Sequence, residues 1–183
     1  IIMVKSAYSF ATKKEKIENH IIVVWVDNES GVLARVIGLF SGRGYNIDSL
    51  TVAEVDKKKN ISRITITTSG TPQVLQQIKL QLGKLIPVHK VADFPSNERT
   101  LIREMALLKI VSSKANLGKA KKICKKYKST IIDSTEKSVV LEVSALKKDI
   151  DQLIKKLQVL GLASVSRTGV VAMTKGSGVY KQI

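Results

Sequence analysis

Strand-like and helix-like segments follow one another in the same order twice along the chain. In residues 20–93, a strand pattern is followed by a helix pattern, two strand patterns, a second helix pattern and a last strand pattern. Residues 98–175 repeat this order. Alternating apolar residues predict strands, and apolar residues three and four apart predict helices. The chain is therefore expected to be an α+β protein of two tandem βαββαβ units with the ferredoxin-like arrangement.

The first unit begins with the β-branched apolar residues 21–26, which are typical of a buried strand. Turn-forming residues 27–31 end the strand, and a helix with one buried face is expected next. The residues assigned to that face are Leu33, Val36, Ile37 and Phe40. The other expected elements are a strand over 45–55, a charged turn over 56–60, a strand over 61–68, a helix starting near Pro72 and a strand over 85–91.

The second unit is expected to consist of a strand over 101–112, a helix over 116–127, strands over 129–134 and 137–143, a helix over 147–160 and a strand over 162–173. The first of these helices has an apolar stripe made of Leu117, Ala120, Ile123, Cys124 and Tyr127. We assign residues 95–97 to a linker between the units, residues 1–19 to a basic N-terminal arm and residues 176–183 to a tail.

The composition of the first strand also indicates what surrounds it in the folded protein. Residues 21–26 are apolar at every position, the pattern of a strand that is buried on both faces. Two helices cover only one face of a four-stranded sheet, so a partner domain or another copy of the chain must cover the other. We expect a homodimer whose first domains join sheet edge to sheet edge.

Composition and spacing exclude several classes. The longest apolar runs have the length of a strand, well short of the roughly 18 residues of a membrane span, so a soluble protein is expected. A single cysteine, Cys124, excludes an internal disulfide framework and suits a reducing compartment. Because it lies on an apolar stripe, we expect Cys124 to be structural. His20 and His89 have no metal-ligand spacing, so no metal site is expected.

The net charge of +16 raises the question of nucleic-acid binding. Residues 94–183 hold 18 basic and seven acidic residues, and many of the lysines lie off the apolar stripes of the two predicted helices. Such lysines are typical of a solvated outer face. Aromatic residues make up only 4% of the chain, and Tyr45 alone stands near a strand at a position from which it could stack on a base. Nucleic acid is therefore not expected as the partner.

No nucleophile–base pair, paired carboxylates or phosphate loop stands out, so the chain is not expected to catalyse a reaction alone. Gly42-x-Gly44 follows a helix, whereas a dinucleotide fingerprint leads into one. The turn before the first helix is the best candidate site, since a helix N-terminus suits a carboxylate. Gly31 permits close approach, and Asn28 offers a donor and an acceptor. The same features also fit a plain helix cap by Ser30 or Asn28.

A longer resemblance covers nearly everything from His20 to Lys175. Residues 28–53, which begin Asn28-Glu29-Ser30-Gly31, resemble the small regulatory subunit of acetolactate synthase (acetohydroxyacid synthase). The segments resembling the same family elsewhere are Ser62-Arg63-Ile64-Thr65-Ile66, Pro87-Val88 and Ser166-Arg167-Thr168-Gly169-Val170-Val171. This resemblance implies an ACT domain over 20–93 and an ACT-like domain over 98–175. The N-terminal arm and the lysine excess in residues 114–156 depart from the family pattern.

The resemblance further implies a non-catalytic regulatory subunit that activates a large catalytic subunit and confers feedback inhibition by valine. Thiamine diphosphate, magnesium and FAD would be on that partner, and this chain would bind no cofactor, only the effector L-valine. Asn28 and Gly31 of one chain would hold the carboxylate and amine of valine, with Asn46 and Ile47 from the facing chain. Leu33 would line the isopropyl group. The expected compartment is the bacterial cytoplasm, or an organelle interior.

Two other functions stay open from the sequence. One is a stand-alone amino-acid-sensing ACT protein, although no recognition helix for DNA accompanies the second unit. The other is a basic nucleic-acid-binding protein, whose affinity would fall steeply with salt and ignore valine.

Overall fold

A computed structural model describes residues 17–94 and 99–178 of the chain. In these residues the elements of the first domain are β1 (Glu18–Asp27), α1 (Val32–Ser41), β2 (Ser49–Asp56), β3 (Ile61–Gly70), α2 (Pro72–Leu82) and β4 (Val88–Phe94). The elements of the second domain are β5 (Thr100–Val111), α3 (Lys114–Lys125), β6 (Thr130–Ser134), β7 (Ser138–Ala145), α4 (Lys147–Gln158) and β8 (Leu162–Thr174).

Each domain folds into a four-stranded antiparallel sheet with two helices. The strand orders are β2-β3-β1-β4 in the first domain and β6-β7-β5-β8 in the second. These orders confirm the predicted α+β architecture of two tandem βαββαβ units. The predicted linker at residues 95–97 lies outside the described residues, as do nearly all of the N-terminal arm and the last five residues of the tail.

The buried face of α1 is rotated from the predicted one, with which it shares Val36 and Phe40. Its buried residues are Val32, Val36, Leu39 and Phe40. Leu33 and Ile37, which were assigned to the core, are each 37% exposed. Val32 and Val36 form one row of apolar residues four apart, Leu33 and Ile37 form the adjacent row, and only the first row faces the sheet. The prediction is therefore right for Val36 and Phe40 and wrong for Leu33 and Ile37, which α1 presents to the outside as a second apolar stripe.

The second strand starts later than predicted, at Ser49 and not at Tyr45. After α1 the chain turns through Gly44, whose φ is +68°, and the amide of Tyr45 donates to the carbonyl of Phe40 over 3.0 Å. Sheet pairing begins where the amide of Asp48 donates to the carbonyl of Thr67 over 2.8 Å. Residues 45–48 therefore form a connecting loop, although their apolar pattern resembles that of a strand.

Both faces of β1 are buried, and the chain buries both of them itself. Ile22, Val24 and Val26 contribute to the core beneath α1 and α2. The opposite face belongs to a second apolar cluster, which joins the first sheet to residues of β5 and β8. That cluster contains Ile21, Val23, Trp25, Ile61, Ala92 and Phe94 from the first domain, with Val170, Ala172 and the half-buried Ile102 from the second. Of the two candidates for covering this face, the neighbouring domain is the one observed. The apolar pattern of β1 thus gives no reason to expect a dimer.

Candidate effector site

The turn between β1 and α1 is built around Gly31. Gly31 is the residue that precedes α1, with φ +82° and ψ −9°, a backbone conformation that glycine adopts readily. No side chain in the described part of the chain caps this helix. The expected alternative, a plain cap by Ser30 or Asn28, is therefore wrong. Among the first amides of α1, that of Val32 donates to the carbonyl of Glu29 over 3.4 Å, and those of Leu33 and Ala34 are left available to an anion.

Asn28 is fixed at the same end of α1 by the beginning of β3. Its side-chain Oδ1 accepts a hydrogen bond from the hydroxyl of Ser62 over 3.0 Å. Its backbone amide donates to the carbonyl of Asn60 over 2.8 Å, and its own carbonyl accepts from Asn60 Nδ2 over 3.3 Å. These three bonds hold Asn28 in place, and none of them uses the two N–H donors of its side-chain amide.

Asn46 and Ile47 lie in the loop that follows α1. The carbonyl of Asn46 accepts a hydrogen bond from the hydroxyl of Thr68 over 2.6 Å, and its Nδ2 donates to Asp48 Oδ1 over 2.7 Å. Ile47 packs against the core of the first domain, whereas the side chain of Asn46 is exposed. The loop is thus anchored through the carbonyl of Asn46 and the side chain of Ile47, and the side chain of Asn46 faces solvent.

The five candidate residues form two groups at opposite ends of α1. A ten-residue helix is about 15 Å long, and it separates Gly31 from Asn46. The two residues of β3 that bind these groups show a similar separation. Ser62 and Thr68 are six residues apart, or roughly 20 Å along a strand. One chain therefore cannot bring both groups onto a single amino acid.

Sequence reasoning missed Ser62 and Thr68, the two hydroxyl residues that hold the site loops. Ser62 is 5% exposed and Thr68 is fully buried, and both lie in a strand whose other buried positions are mostly apolar. A hydroxyl in a buried strand needs a hydrogen-bond partner, and here the partners are the two loops. That polar interruption of an apolar strand was the available signal.

The segment Ser166-Arg167-Thr168-Gly169-Val170-Val171 lies where the two domains meet, away from the turn at Gly31. Arg167 donates from Nε and Nη2 to both oxygens of Glu104, over 2.6 and 2.8 Å, and from Nη1 to Asp151 over 2.6 Å. Glu104 is only 3% exposed, so Arg167 neutralises a buried carboxylate. Hydrogen bonding and the charge of Glu104 raise the pKa of Arg167, which keeps its guanidinium charged.

Arg63 also lies at the contact between the domains. Its guanidinium stands over the rings of Trp25 and Phe94, 5.5 and 5.7 Å from their centroids, and donates to the carbonyl of Ala172 in β8. Burial lowers the pKa of Arg63. The contact between the domains is therefore apolar at its centre, with a cation stacked on its aromatic residues.

Among residues 17–94 and 99–178, no three His, Cys, Asp or Glu side chains are grouped so that they could hold a metal ion. In the same residues, no helix has both the length and the apolar character that crossing a membrane requires.

The first ferredoxin-like domain, which has an uncapped helix behind a glycine turn, is a domain of the ACT class. The family description "AHAS small subunit-like ACT domain" matches residues 22–90, and "Small subunit of acetolactate synthase" matches residues 103–176. The chain belongs to the family of acetolactate synthase small subunits.

Individual proteins agree with this membership. The chain is 37% identical over 159 residues to the acetolactate synthase small subunit of Buchnera aphidicola subsp. Baizongia pistaciae, which covers 86% of this chain and 99% of that protein. It is 37% identical over 162 residues to the acetolactate synthase isozyme 3 small subunit of Escherichia coli K12, covering 88% and 98%. The crystal structure of the acetolactate synthase small subunit from Thermotoga maritima superimposes with a TM-score of 0.81, at 30% identity, covering 88% of this chain and 99% of that one.

Proposed function

We propose that this chain is the regulatory subunit of acetolactate synthase, which activates a large catalytic subunit and confers feedback inhibition by valine. Thiamine diphosphate, magnesium and FAD belong to the catalytic subunit, and this chain makes and breaks no bonds itself. Its place is the cytoplasm of a bacterium, or the interior of an organelle. The observation that carries the proposal is the uncapped N-terminus of α1 behind Gly31, in a chain whose two domains both match the small-subunit family.

The effector site follows from the groups at the two ends of α1. The carboxylate of valine binds the free amides at the start of α1, where Gly31 has no side chain in the way and the helix dipole favours an anion. Asn28 directs its side-chain amide to the same ligand. Asn46 and Ile47 of a second chain close the pocket, and Leu33 contacts the isopropyl group.

A homodimer brings these groups together. Strand β2 is an edge strand, and α1 connects β1 to β2 across β3, so α1 lies on the β2 side of the sheet. Antiparallel pairing of β2 with its copy places the two α1 helices side by side in opposite directions. The start of one α1 then lies near the Asn46 loop of the other chain. The exposed stripe of Leu33 and Ile37 has the position needed to pack in this contact.

The regulatory role has a direct test in reconstitution with the catalytic subunit. We expect the purified chain to produce no acetolactate from pyruvate, to increase the activity of the catalytic subunit when added, and to make that activity sensitive to valine. A chain that binds valine but leaves the catalytic subunit unchanged would be a stand-alone amino-acid sensor. Turnover of pyruvate by the chain alone would contradict the proposed division of labour.

A further inference from the structure

A groove in the second domain, far along the chain from the effector residues, lies between α3 and the edge strand β6. Its volume is about 440 Å³. The residues that line it are Lys121, Lys122, Lys125, Ser129, Ile131 and Leu141. Three lysines of one helix therefore stand around an opening whose other side is an isoleucine and a leucine.

The strand beside the groove has apolar side chains that the domain leaves uncovered. All five residues of β6 are exposed, and β6 pairs only with β7 in the described sheet. Ile131 is 50% exposed and its neighbour Ile132 is 55% exposed. Ile131 lines the groove, and exposed apolar residues on an edge strand favour unwanted pairing with other chains. The register shift between Ile131 and Asp133 bends this edge away from simple strand addition, so an occupant is expected to bind through side chains in the groove.

The lysines around the groove have no carboxylate partners in the described residues. Residues 114–128 contain seven lysines and no acidic residue. The ion pairs among residues 17–94 and 99–178 involve none of these seven, and Lys121 donates instead to the hydroxyl of Ser134 over 3.0 Å. Lys122 and Lys125 also lie in the last turn of α3, where a cation stabilises the helix dipole. That local role accounts for the charge but not for the exposed Ile131 that lines the same groove.

We propose that this groove, called here the α3–β6 groove, binds an acidic segment of the large catalytic subunit. The inference rests on the proposed regulatory function. An apolar side chain of that segment covers Ile131, and its carboxylates pair with Lys122 and Lys125. The apolar centre supplies burial, and the charges supply orientation and a faster encounter.

A nucleic acid is the other class of polyanion that lysines attract, and the groove is less suited to it. Binding of unpaired bases relies on exposed aromatic rings on which the bases stack. None of the six residues that line the groove is aromatic. The ring of Tyr127, close by in the sequence, is half-buried and has the Lys156 ammonium 6.0 Å from its centroid.

The test compares two charge reversals in the full chain. The groove variant is Lys122→Glu/Lys125→Glu, and the matched control is Lys57→Glu/Lys58→Glu in the turn between β2 and β3, which makes the same change in net charge. Each protein is titrated into the catalytic subunit at low and at moderate salt, and the concentration that gives half-maximal activation is measured. We expect the groove variant to need about tenfold more protein at low salt, with the difference shrinking as salt screens the charges. The control is expected to match the parent.

A second variant separates charge from the apolar contact. Ile131→Ser, at a half-exposed position, should also raise the half-activating concentration severalfold. The affinity of every variant for valine, measured by calorimetry, should equal that of the parent. Activation by both groove variants at the parent's concentration would overturn the proposal. Loss of affinity for a mixed-sequence RNA oligonucleotide with unchanged activation would overturn it too, in favour of a nucleic-acid site. If the parent itself fails to activate, the proposed function fails, and this inference fails with it.

Discussion

The hydroxyl of Thr51 donates a hydrogen bond to the backbone carbonyl of Thr168 over 3.0 Å, and so connects the edge strand of the first domain to β8 of the second. Beside it, the amide of Val170 donates to the hydroxyl of Ser49 over 3.4 Å. Strand β2 begins two residues after the effector candidate Ile47. A change in the Asn46–Ile47 loop is therefore adjacent to the contact between the domains.

The fit at this contact depends on a glycine in β8. Gly169 has φ +82°, and a Cβ added there would lie 3.0 Å from Thr51 Oγ1 and 3.4 Å from Ser49 Cβ. We expect Gly169→Ala to lower the free energy of unfolding by about 1–3 kcal/mol, because alanine resists a positive φ. Urea unfolding measures this, and quenching of the single tryptophan, Trp25, reports whether the contact loosens. The control Gly118→Ala, in α3 with open space around it, should be neutral or stabilising.

The ion pair between Arg167 and the buried Glu104 should contribute to stability in a non-additive way. Arg167→Met leaves the carboxylate of Glu104, which is 3% exposed, without its cation. We expect this variant to lower the free energy of unfolding by about 3–5 kcal/mol. Adding Glu104→Leu removes the stranded charge and should recover much of that loss. The control is Arg43→Met, which removes an exposed arginine. It should change the free energy of unfolding by less than about 0.5 kcal/mol. Purely additive effects in the double variant would contradict the assigned pairing.

Charge at the start of α1 should decide valine binding. Gly31→Asp and Gly31→Asn have nearly the same size, and both aspartate and asparagine accept a positive φ better than other residues with a side chain. The aspartate places a negative charge against the carboxylate of valine. At a cost of about 1–4 kcal/mol, its repulsion should weaken affinity by roughly ten- to a thousandfold.

We expect the asparagine variant to lose less affinity, and both variants to keep activation of the catalytic subunit. Asn46→Ala should weaken binding in the same direction, from the facing chain. Calorimetry with valine measures each affinity. If both Gly31 variants and Asn46→Ala bind valine like the parent, the pocket is misplaced.

The exposed apolar stripe on α1 gives a test of the dimer. We expect Ile37→Lys to shift sedimentation at micromolar concentration from a dimer to a monomer, because a charge replaces an apolar side chain at the proposed contact between helices. Leu80→Lys is the matched control, since Leu80 is 51% exposed on α2 of the same domain and lies outside that contact. A parent protein that sediments as a monomer with and without valine would contradict the dimer itself.

Burial of Cys124 should give stability a dependence on alkaline pH. The thiol is fully buried, and burial raises its pKa to about 11. Because the folded state holds this proton more tightly than the unfolded state, the contribution is complete below about pH 9 and is lost as the pH rises towards 11.

Cys124→Ala isolates this contribution. We expect the variant to be about 1–2 kcal/mol less stable at pH 7, for the lost packing, and to keep activation of the catalytic subunit. Its disadvantage should shrink between pH 9 and 11, as measured by urea unfolding. A constant difference across that range would show that the thiol does not titrate in this way.

The local structure and its repetition are predictable from the order of residues alone. The two βαββαβ orders and the apolar stripe around Cys124 follow from periodicity, because each depends on neighbours two to four residues away. The turn at Gly31 was identified for the same reason, since its signal is contained in a few consecutive residues.

Which surfaces meet depends on the folded arrangement of the elements. Periodicity could not choose between the two apolar stripes of α1, because that choice depends on how the helix lies on its sheet. The double burial of residues 21–26 indicated a cover, yet whether Val170 and Ala172 or a second chain supplies it depends on contacts between residues nearly 150 apart. Likewise, the distance between Gly31 and Asn46 is set by a folded helix. Each of these is a long-range relationship in space, which a pattern of near neighbours in the chain does not encode.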